Sequence, residues 1–529
     1  MNAARALALA CLLALLGAGR ADAHTSSDFA GHHRQVFRVV VVQGLTVADL
    51  PELASAGAVG LVVPNAGPRT SAGAAFAGMV RGILYNARLP HPHGEIVLIH
   101  VQSARSIPLS GPAIVVGMPP ARNVPNERRY PIAVIGHGFR PGSVLRSSLT
   151  RVPGLVSMAD VARTALEAGH SLGWQADPNA VRTLERLETR IEVARDSTMA
   201  AGVLVLSLLV LFALFFPLGT APGLASALAA NLALGWMLDG TAGMRVTLLG
   251  VCTVAGGILG ARFLRAGPAL GLALVTTVAA YAVTMAVQPS VLSLAPIGPE
   301  LTSRFFGVSN QLETFLLVPA LLGARLLFAR FGPAAFTAVA VLSLVTIAEN
   351  QLGSDGGGAI VVGVGFAVLA VAMAGKGWRL VAPALAGAAL AVVALLDVDA
   401  ASSSPDHLRG ALHGGINGLA QVAANRVPLA YDRALEQWWL LFPTVPALVV
   451  AVAFVRAMRC GREAAVMLSL LAALAASLLV NDSPGPVMLA GLAAVLALDG
   501  GFVYRTLTLP IVRRLGSVET TVGPARPQE

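Results

Sequence analysis

Charged residues are scarce in this chain. They make up 12% of its 529 residues, while 55% are hydrophobic and the mean hydropathy is +0.72. Soluble domains carry about 25% charged residues, so this composition predicts a polytopic membrane protein. The net charge of +9 comes without basic runs interleaved with aromatic residues, so we expect no nucleic-acid partner.

Cysteine and histidine offer little metal-binding chemistry. The chain has three isolated cysteines, Cys11, Cys252 and Cys460. No CxxC pair exists, which argues against a disulfide framework or a cysteine zinc site. The polar segment 24–35 holds three histidines without a partner cluster, which is weak evidence for a metal. We therefore expect neither a metal site nor a cofactor.

The N-terminus has the layout of a signal peptide. Arg5 supplies a positive start, 7–16 is apolar, and Ala21-Asp22-Ala23 forms an A-x-A cleavage site. An uncleaved anchor helix is the alternative. In either case, the segment after residue 23 is predicted to be exported, with 24–35 as a flexible lead-in.

Residues 36–175 are predicted to form an α/β domain. A β-branched run at 36–42 and the run 59–63 are typical of buried strands. A helical pattern covers 49–56 between them. Further strands are predicted at 96–101, 113–116 and 132–135. This alternation favours a parallel sheet covered on both faces, and 176–198 forms a charged amphipathic connector helix.

Two stretches of this domain carry a family resemblance. The first, 36–50, reads VFRVVVVQGLTVADL, and the second is 130–166. The second contains PGLV at 153–156 and DVART at 160–164, close to a pGlV…tDvaPT pattern. The domain thus resembles the alkaline phosphatase superfamily over about a quarter of the chain. The whole layout also resembles multi-span proteins of high-GC bacteria that fuse such a domain to a membrane core.

The resemblance implies a pseudoenzyme. That family uses two metals held by Asp and His, and a Ser or Thr nucleophile. Gln43 stands where the family has an aspartate ligand, and 116–119 (VGMP) replaces an Asp-His pair. Thr70 and Ser71 lie roughly at the nucleophile's place, where they lack a metal to activate them. His137 alone cannot complete a two-metal site, so phosphatase activity is not expected.

The rest of the chain, 199–505, is predicted to be an all-α membrane domain. About eleven apolar stretches are near the length of a span. They are 199–218, 222–238, 245–264, 267–288, 312–330, 332–349, 358–375, 379–396, 442–457, 463–480 and 485–504.

Charge orients these spans. If 36–175 lies outside, basic residues gather at the cytoplasmic ends, namely Arg262, Arg265, Arg325, Arg330, Lys376, Arg379, Arg456, Arg459, Arg462, Arg505, Arg513 and Arg514. Most acidic residues then fall outside. The positive-inside rule therefore predicts a plasma-membrane protein with an extracytoplasmic N-terminal domain and a cytoplasmic tail, 506–529.

The segment 300–313 on the outer face holds the first polar cluster. Glu300 and Arg304 are four residues apart and would pair on a helix. Asn310 and Glu313 would share a face at the mouth of the fifth span. Ionisable groups at such depth are costly and typically functional, although an ordinary loop with a helix cap has the same pattern.

A glycine-rich stretch, ENQLGSDGGGAI at 349–360, follows the sixth predicted span, 332–349. It lacks the lysine and Ser/Thr of a nucleotide-binding P-loop. After Asp355, Gly356 and Gly357 could present N–H groups to an anion such as a lipid phosphate. Close helix packing through small residues is the alternative.

Two more polar stretches lie on the same predicted face. Within 397–441, the segment 406–424 has the spacing of an interfacial amphipathic helix. His407 and Arg409 are then either acid/base and anion-binding groups or part of a solvated face. Asn481 and Asp482, between the last two spans, form either an Asx turn or part of a site.

Three function classes fit these patterns. One is an enzyme that transfers or ligates a lipid-linked sugar or phosphate at the outer face, one is a transporter or flippase, and one is a scaffold or sensor. The candidate catalytic carboxylates are Glu313, Asp355 and Asp482. The candidate substrate-binding residues are Arg304, Asn310, Glu349, Gly356, Gly357, His407, Arg409 and Asn481. Membrane lipids are the expected partners, with an envelope protein on 36–175.

Overall fold

The fold is taken from a computed structural model. It describes residues 37–65, 69–81, 83–84, 87–88, 98–101, 111–136, 138–166, 172–237, 239–264, 267–299, 305–349, 352–353, 356–374, 464–481 and 485–498. The predicted signal peptide, the lead-in, the interfacial segment 397–441 and the spans 379–396 and 442–457 lie outside these residues. Elements are numbered below over the described residues.

An α/β region comes first. Its longer strands are β1 (Arg38–Gln43), β2 (Ala58–Val63), β6 (Leu98–Val101), β7 (Ala113–Met118), β9 (Tyr130–Ile135), β10 (Ser143–Ser147), β11 (Leu155–Ser157) and β12 (Leu172–Ala176). Two-residue strands are β3 (Arg69–Thr70), β4 (Ile83–Leu84), β5 (Ala87–Arg88) and β8 (Val124–Pro125). Its helices are α1 (Leu50–Ala56), α2 (Ala72–Arg81) and α3 (Met158–Leu166).

The sheet is mixed, so the prediction of a parallel sheet is wrong. The order is β12-β10-β2-β9-β7-β1-β6, with β11 also pairing with β2. β1 runs parallel to β6 and β7, but β9 runs antiparallel to both β2 and β7. The reason lies in the connection 119–129, which contains β8 but no helix. A parallel neighbour needs a crossover of a dozen or more residues, usually helical.

Both faces of the sheet are buried, as predicted. Alternate residues of β1 point to opposite sides, so Val39 and Val41 join one core while Val40 and Val42 join the other. Helices α2 and α3 cover the first face. Helix α1 covers the second together with α4 (Ala180–Phe215).

Helix α4 joins the two parts of the chain without a break. Its 36 residues cover most of the predicted amphipathic connector, 176–198, and most of the first predicted span, 199–218. Leu184, Leu187 and Ile191 lie in the core beneath the sheet. Near the same end, the Arg129 guanidinium lies 2.8 Å from the Glu188 carboxylate and is largely shielded from solvent. The helix is therefore part of the α/β fold as well as of the helical region.

The remaining described residues are helical. The helices are α5 (Thr220–Trp236), α6 (Ala242–Phe263), α7 (Pro268–Val287), α8 (Ser290–Ser293), α9 (Asn310–Phe331), α10 (Pro333–Ala348), α11 (Gly356–Ala374), α12 (Ala464–Val480) and α13 (Gly485–Leu498). Six helices of the described part are long and apolar enough to cross a membrane. Three shorter apolar helices, α10, α12 and α13, accompany them. The chain therefore has the make-up of a multi-pass membrane protein.

Small residues bring α5 and α6 into close contact. A Cβ at Gly260 would overlap Pro222, and one at Gly256 would overlap Ser226. Such contacts let helix backbones approach in lipid, where there is little hydrophobic driving force between helices. Close packing of small residues thus holds α5 against α6, together with the bond from Arg245 to the Met237 carbonyl directly after α5, at 3.1 Å.

We expect the substitution Gly260→Ala to separate α5 from α6. The added methyl meets the rigid Pro222 ring, and overpacking of this kind costs about 1–3 kcal/mol of unfolding free energy. Thermal unfolding of the purified chain in detergent measures the effect. Gly243→Ala is the matched control, because Gly243 lies on the same helix and a Cβ there would meet nothing within 4 Å. Equal melting temperatures for the two variants would contradict this packing.

Candidate functional site

Two of the predicted site residues meet inside the helical region. Glu313 lies in the first turn of α9 and is fully buried. Asn481, directly after α12, donates from Nδ2 to Glu313 Oε2 at 3.1 Å. These residues are 168 positions apart in the chain, so only the packing of α9 against α12 brings them together.

Ser477 completes this cluster and was missed by the sequence analysis. The Asn481 Nδ2 group also donates to Ser477 Oγ at 2.8 Å, and Ser477 is fully buried. Residues four apart lie on the same helix face. A serine four positions before Asn481 in a mostly apolar helix was therefore the signal that could have found it.

The chain that precedes α9 is paired with the chain that follows α10. The Val308 N–H donates to the Gly353 carbonyl at 2.9 Å. Gly307 has φ +82 and lies so close that a Cβ would overlap the Gly353 carbonyl. Ser309 then caps α9, accepting from Leu312 N at 3.2 Å. Gly353, two residues before Asp355 in the sequence, therefore lies beside the segment that enters α9.

The other described candidates lie around this end of the bundle. Asn310 is the first residue of α9, one turn before Glu313. Glu349 directly follows α10, and its carbonyl accepts from Leu352 N at 3.0 Å. Gly356 and Gly357 are the first two residues of α11. The predicted glycine-rich loop therefore begins a helix at this point.

Five candidates lie outside the described residues. They are Asp355, Asp482, Arg304, His407 and Arg409. Three of them adjoin described residues of the site in sequence. Asp482 follows Asn481, Asp355 comes two residues after Gly353, and Arg304 precedes Phe305.

The site lies at the end of the bundle that carries the α/β region, here called the domain-proximal end. Phe305 is only 4% exposed and belongs to the core beneath the sheet, together with Leu294. The Arg151 guanidinium lies over the Phe306 ring, 3.9 Å from its centroid. The segment that enters α9 therefore packs against the α/β region at Phe305, eight residues before Glu313.

A second buried polar network, also missed from the sequence, supports the segment between α7 and α9. Asn231 donates to Tyr281 Oη and to the Ile297 carbonyl, each at 3.1 Å, and accepts from Ile297 N at 2.7 Å. Arg245, fully buried, donates to the Leu294 carbonyl at 2.9 Å. These bonds satisfy non-helical backbone groups, which lipid cannot do.

Several residues of the stretches that suggested the phosphatase resemblance have structural roles in the α/β region. Asp160 Oδ2 accepts from Ser147 Oγ at 2.7 Å and from Ser157 N at 2.9 Å, so it caps α3. Ser71 Oγ accepts from Ala74 N at 3.2 Å and caps α2. Gln43, the last residue of β1, is exposed. Among the described residues, no group of His, Cys, Asp and Glu is placed to hold a metal ion.

Comparisons with protein-family models, with curated proteins and with solved structures find no match to this chain. The geometry of the cluster is therefore the basis for any assignment of function.

Asn481→Ala is expected to destabilise the protein through Glu313. Loss of the amide donor leaves a buried carboxylate with one hydrogen bond fewer, at a cost of about 1–3 kcal/mol. In a Glu313→Gln background the same substitution should cost less, giving a coupling of about 0.5–3 kcal/mol in a double-mutant cycle measured by unfolding in mixed micelles.

Ser469→Ala is the control for this cycle. Ser469 is equally buried in α12, but its hydroxyl donates within its own helix, to the Ala465 carbonyl. It should show no coupling with Glu313→Gln. A coupling near zero for Asn481 as well would contradict the interaction.

Proposed function

We propose that this chain is an envelope enzyme that acts on a lipid-linked sugar or phosphate at the outer face of the plasma membrane. In this proposal the membrane domain has about eleven spans, the α/β region is extracytoplasmic, and Glu313 is the reacting carboxylate. The α/β region is a non-catalytic relative of the alkaline phosphatase superfamily.

The observation that supports the proposal most strongly is the burial of Glu313 against Asn481 at the domain-proximal end. A carboxylate inside an apolar helical bundle is costly, and such groups are typically functional. The position of Glu313 at the domain-proximal end does not depend on the charge-based topology, because Phe305, eight residues earlier in the chain, is buried in the core beneath the sheet. If the α/β region is exported, Glu313 lies towards the outer face.

A second observation favours a site over a scaffold. The hydrogen bond from Val308 N–H to the Gly353 carbonyl places Gly353, two residues before Asp355, beside the segment that enters α9. The bond from Asn481 to Glu313 places Asn481, the residue before Asp482, against Glu313. Glu313, Asn481 and Gly353 thus lie at one end of the bundle, and we propose that the neighbouring Asp355 and Asp482 share one site with Glu313. A scaffold has no need for that convergence.

The chemistry that this arrangement suits is glycosyl transfer. Glu313 would accept the proton of an acceptor hydroxyl whose oxygen attacks the anomeric carbon of a lipid-linked sugar. A new carbon–oxygen bond forms, the bond to the lipid (pyro)phosphate breaks, and that phosphate leaves with the bonding electrons. Arg304 and Arg409 would neutralise the leaving group, and the interfacial segment 406–424 would meet the lipid.

A transporter or flippase is the second candidate, and one observation favours it. Pro319 lies inside α9, six residues beyond Glu313. Proline in a helix frees a backbone carbonyl, and interrupted helices near buried polar groups are typical of transporters. In that case Glu313 would bind a proton or a substrate cation rather than act as a base.

Lipid and glycan analysis of a deletion strain tests the proposal. We expect a lipid-linked precursor to accumulate, and Glu313→Gln or Asp355→Asn to accumulate the same species. With an isolated precursor, loss of a general base should lower turnover by about 10²–10⁴-fold.

Glu192→Gln, on the exposed part of α4, is the control and should complement the deletion fully. Membrane levels of all variants are compared by immunoblot. A precursor that accumulates unmodified on the cytoplasmic side would instead indicate transport. Full complementation by Glu313→Gln would contradict both candidates and leave the scaffold.

A further inference from the structure

A cavity of about 360 Å³ lies at the opposite end of the bundle from the α/β region, here called the domain-distal end. It is lined by Ala225, Ser226 and Ala229 of α5, Gly260 and Phe263 of α6, and Ala273 of α7. Helix α4 starts beneath the sheet and ends at Phe215, and helix α5 begins nearby at Thr220. The cavity therefore lies in the domain-distal half of these helices, whereas Glu313 lies at the domain-proximal end.

The shape of this cavity follows from the helix packing. Helix α5 packs against both α6 and α7, and the cavity is lined by all three. Its α5 wall is made of small side chains, which leave room that Leu or Phe would fill. Leu259 is 54% exposed and Phe263 is 71% exposed, so the cavity is open on the side that faces lipid. Pockets of small ligands have volumes of about 300–1,000 Å³ and mostly apolar walls.

A cation lies on the helix that forms one wall of the apolar groove. Arg262 is exposed in the last turn of α6, three residues after Leu259, which lines the groove. Residues three apart are neighbours on a helix surface. The apolar groove suits an acyl chain, and the exposed guanidinium near its rim suits a lipid phosphate. Together they match a phospholipid. The predicted topology places this end in the cytoplasmic leaflet, where anionic lipids give a negative surface potential.

We infer that this groove is a binding site for one acyl chain of an anionic phospholipid in the leaflet opposite the α/β region, with its phosphate on Arg262. The site is separate from Glu313, and the inference does not rest on the proposed enzyme activity. It adds a contact with the inner leaflet to a protein whose carboxylate site lies at the other face.

Titration of phosphatidylglycerol into the delipidated full chain, followed by native mass spectrometry, tests the inference. Ala229→Phe fills the groove from an exposed position on α5, and Arg262→Gln removes the cation. Each should weaken the tightest phosphatidylglycerol binding by about fivefold or more. Phosphatidylcholine binding should respond to Ala229→Phe and change little with Arg262→Gln.

Two controls repeat these substitutions outside the groove. Ala255→Phe places the same ring on an exposed position of α6, and Arg330→Gln removes an exposed cation from the last turn of α9. Both should leave lipid binding unchanged. Equal effects of test and control variants would overturn the inference.

Other occupants of the groove give different outcomes. If a second copy of the chain fills it, Ala229→Phe would change the oligomeric mass and leave the lipid count unchanged. If one of the predicted spans 379–396 or 442–457 fills it, neither Ala229→Phe nor Arg262→Gln would alter lipid binding. Either result would overturn the lipid assignment.

Discussion

A carboxylate shielded from water must be held by hydrogen-bond donors of the protein, and the bond from Asn481 to Glu313 meets that requirement here. It links the start of α9 to the end of α12, two helices that are far apart in sequence. Because an ionised group without donors is so costly inside an apolar bundle, this one contact constrains how the helices of the domain-proximal end are arranged. The positions of the neighbouring loops follow from it.

The segment between α7 and α9 extends this constraint to the α/β region. Arg245 and Asn231 satisfy its backbone from the helical side. Phe305 and Leu294 fill the core beneath the sheet from the other side. Motion of the α/β region would therefore be transmitted to the segment that enters α9. A domain placed in this way can position or sense a partner close to Glu313.

Most of the elements could be predicted from the sequence. The strands at 59–63 and 113–116 and the apolar helices follow from short β-branched runs and from long stretches without charge. The direction of β9 could not be predicted, because strand direction depends on the connection 119–129 rather than on the strand's own residues. Periodicity likewise gave no sign of β10 and β11, whose sequences contain serine and arginine.

The site was predictable only as a set of separate residues. Acidic and amide side chains at the ends of apolar runs pointed to Glu313 and Asn481, but their hydrogen bond depends on helix packing. Ser477 and Arg245 were missed because each lies in a mostly apolar helix, where the sequence does not show which polar side chain meets a partner. The role of such a residue depends on which backbone groups and side chains it contacts once the helices are packed.

The most direct test of the account is cross-linking between positions 355 and 482. Asp355→Cys and Asp482→Cys are combined in a chain whose Cys11, Cys252 and Cys460 are replaced by serine. Intact cells or spheroplasts are then treated with a membrane-impermeant bis-maleimide, which alkylates one cysteine thiol at each end. The account predicts an intramolecular cross-link formed from outside, and none when Asp482→Cys is combined with Glu192→Cys. Absence of the link, or its formation only after the cytoplasmic side is exposed, would contradict a single acidic site at the outer face.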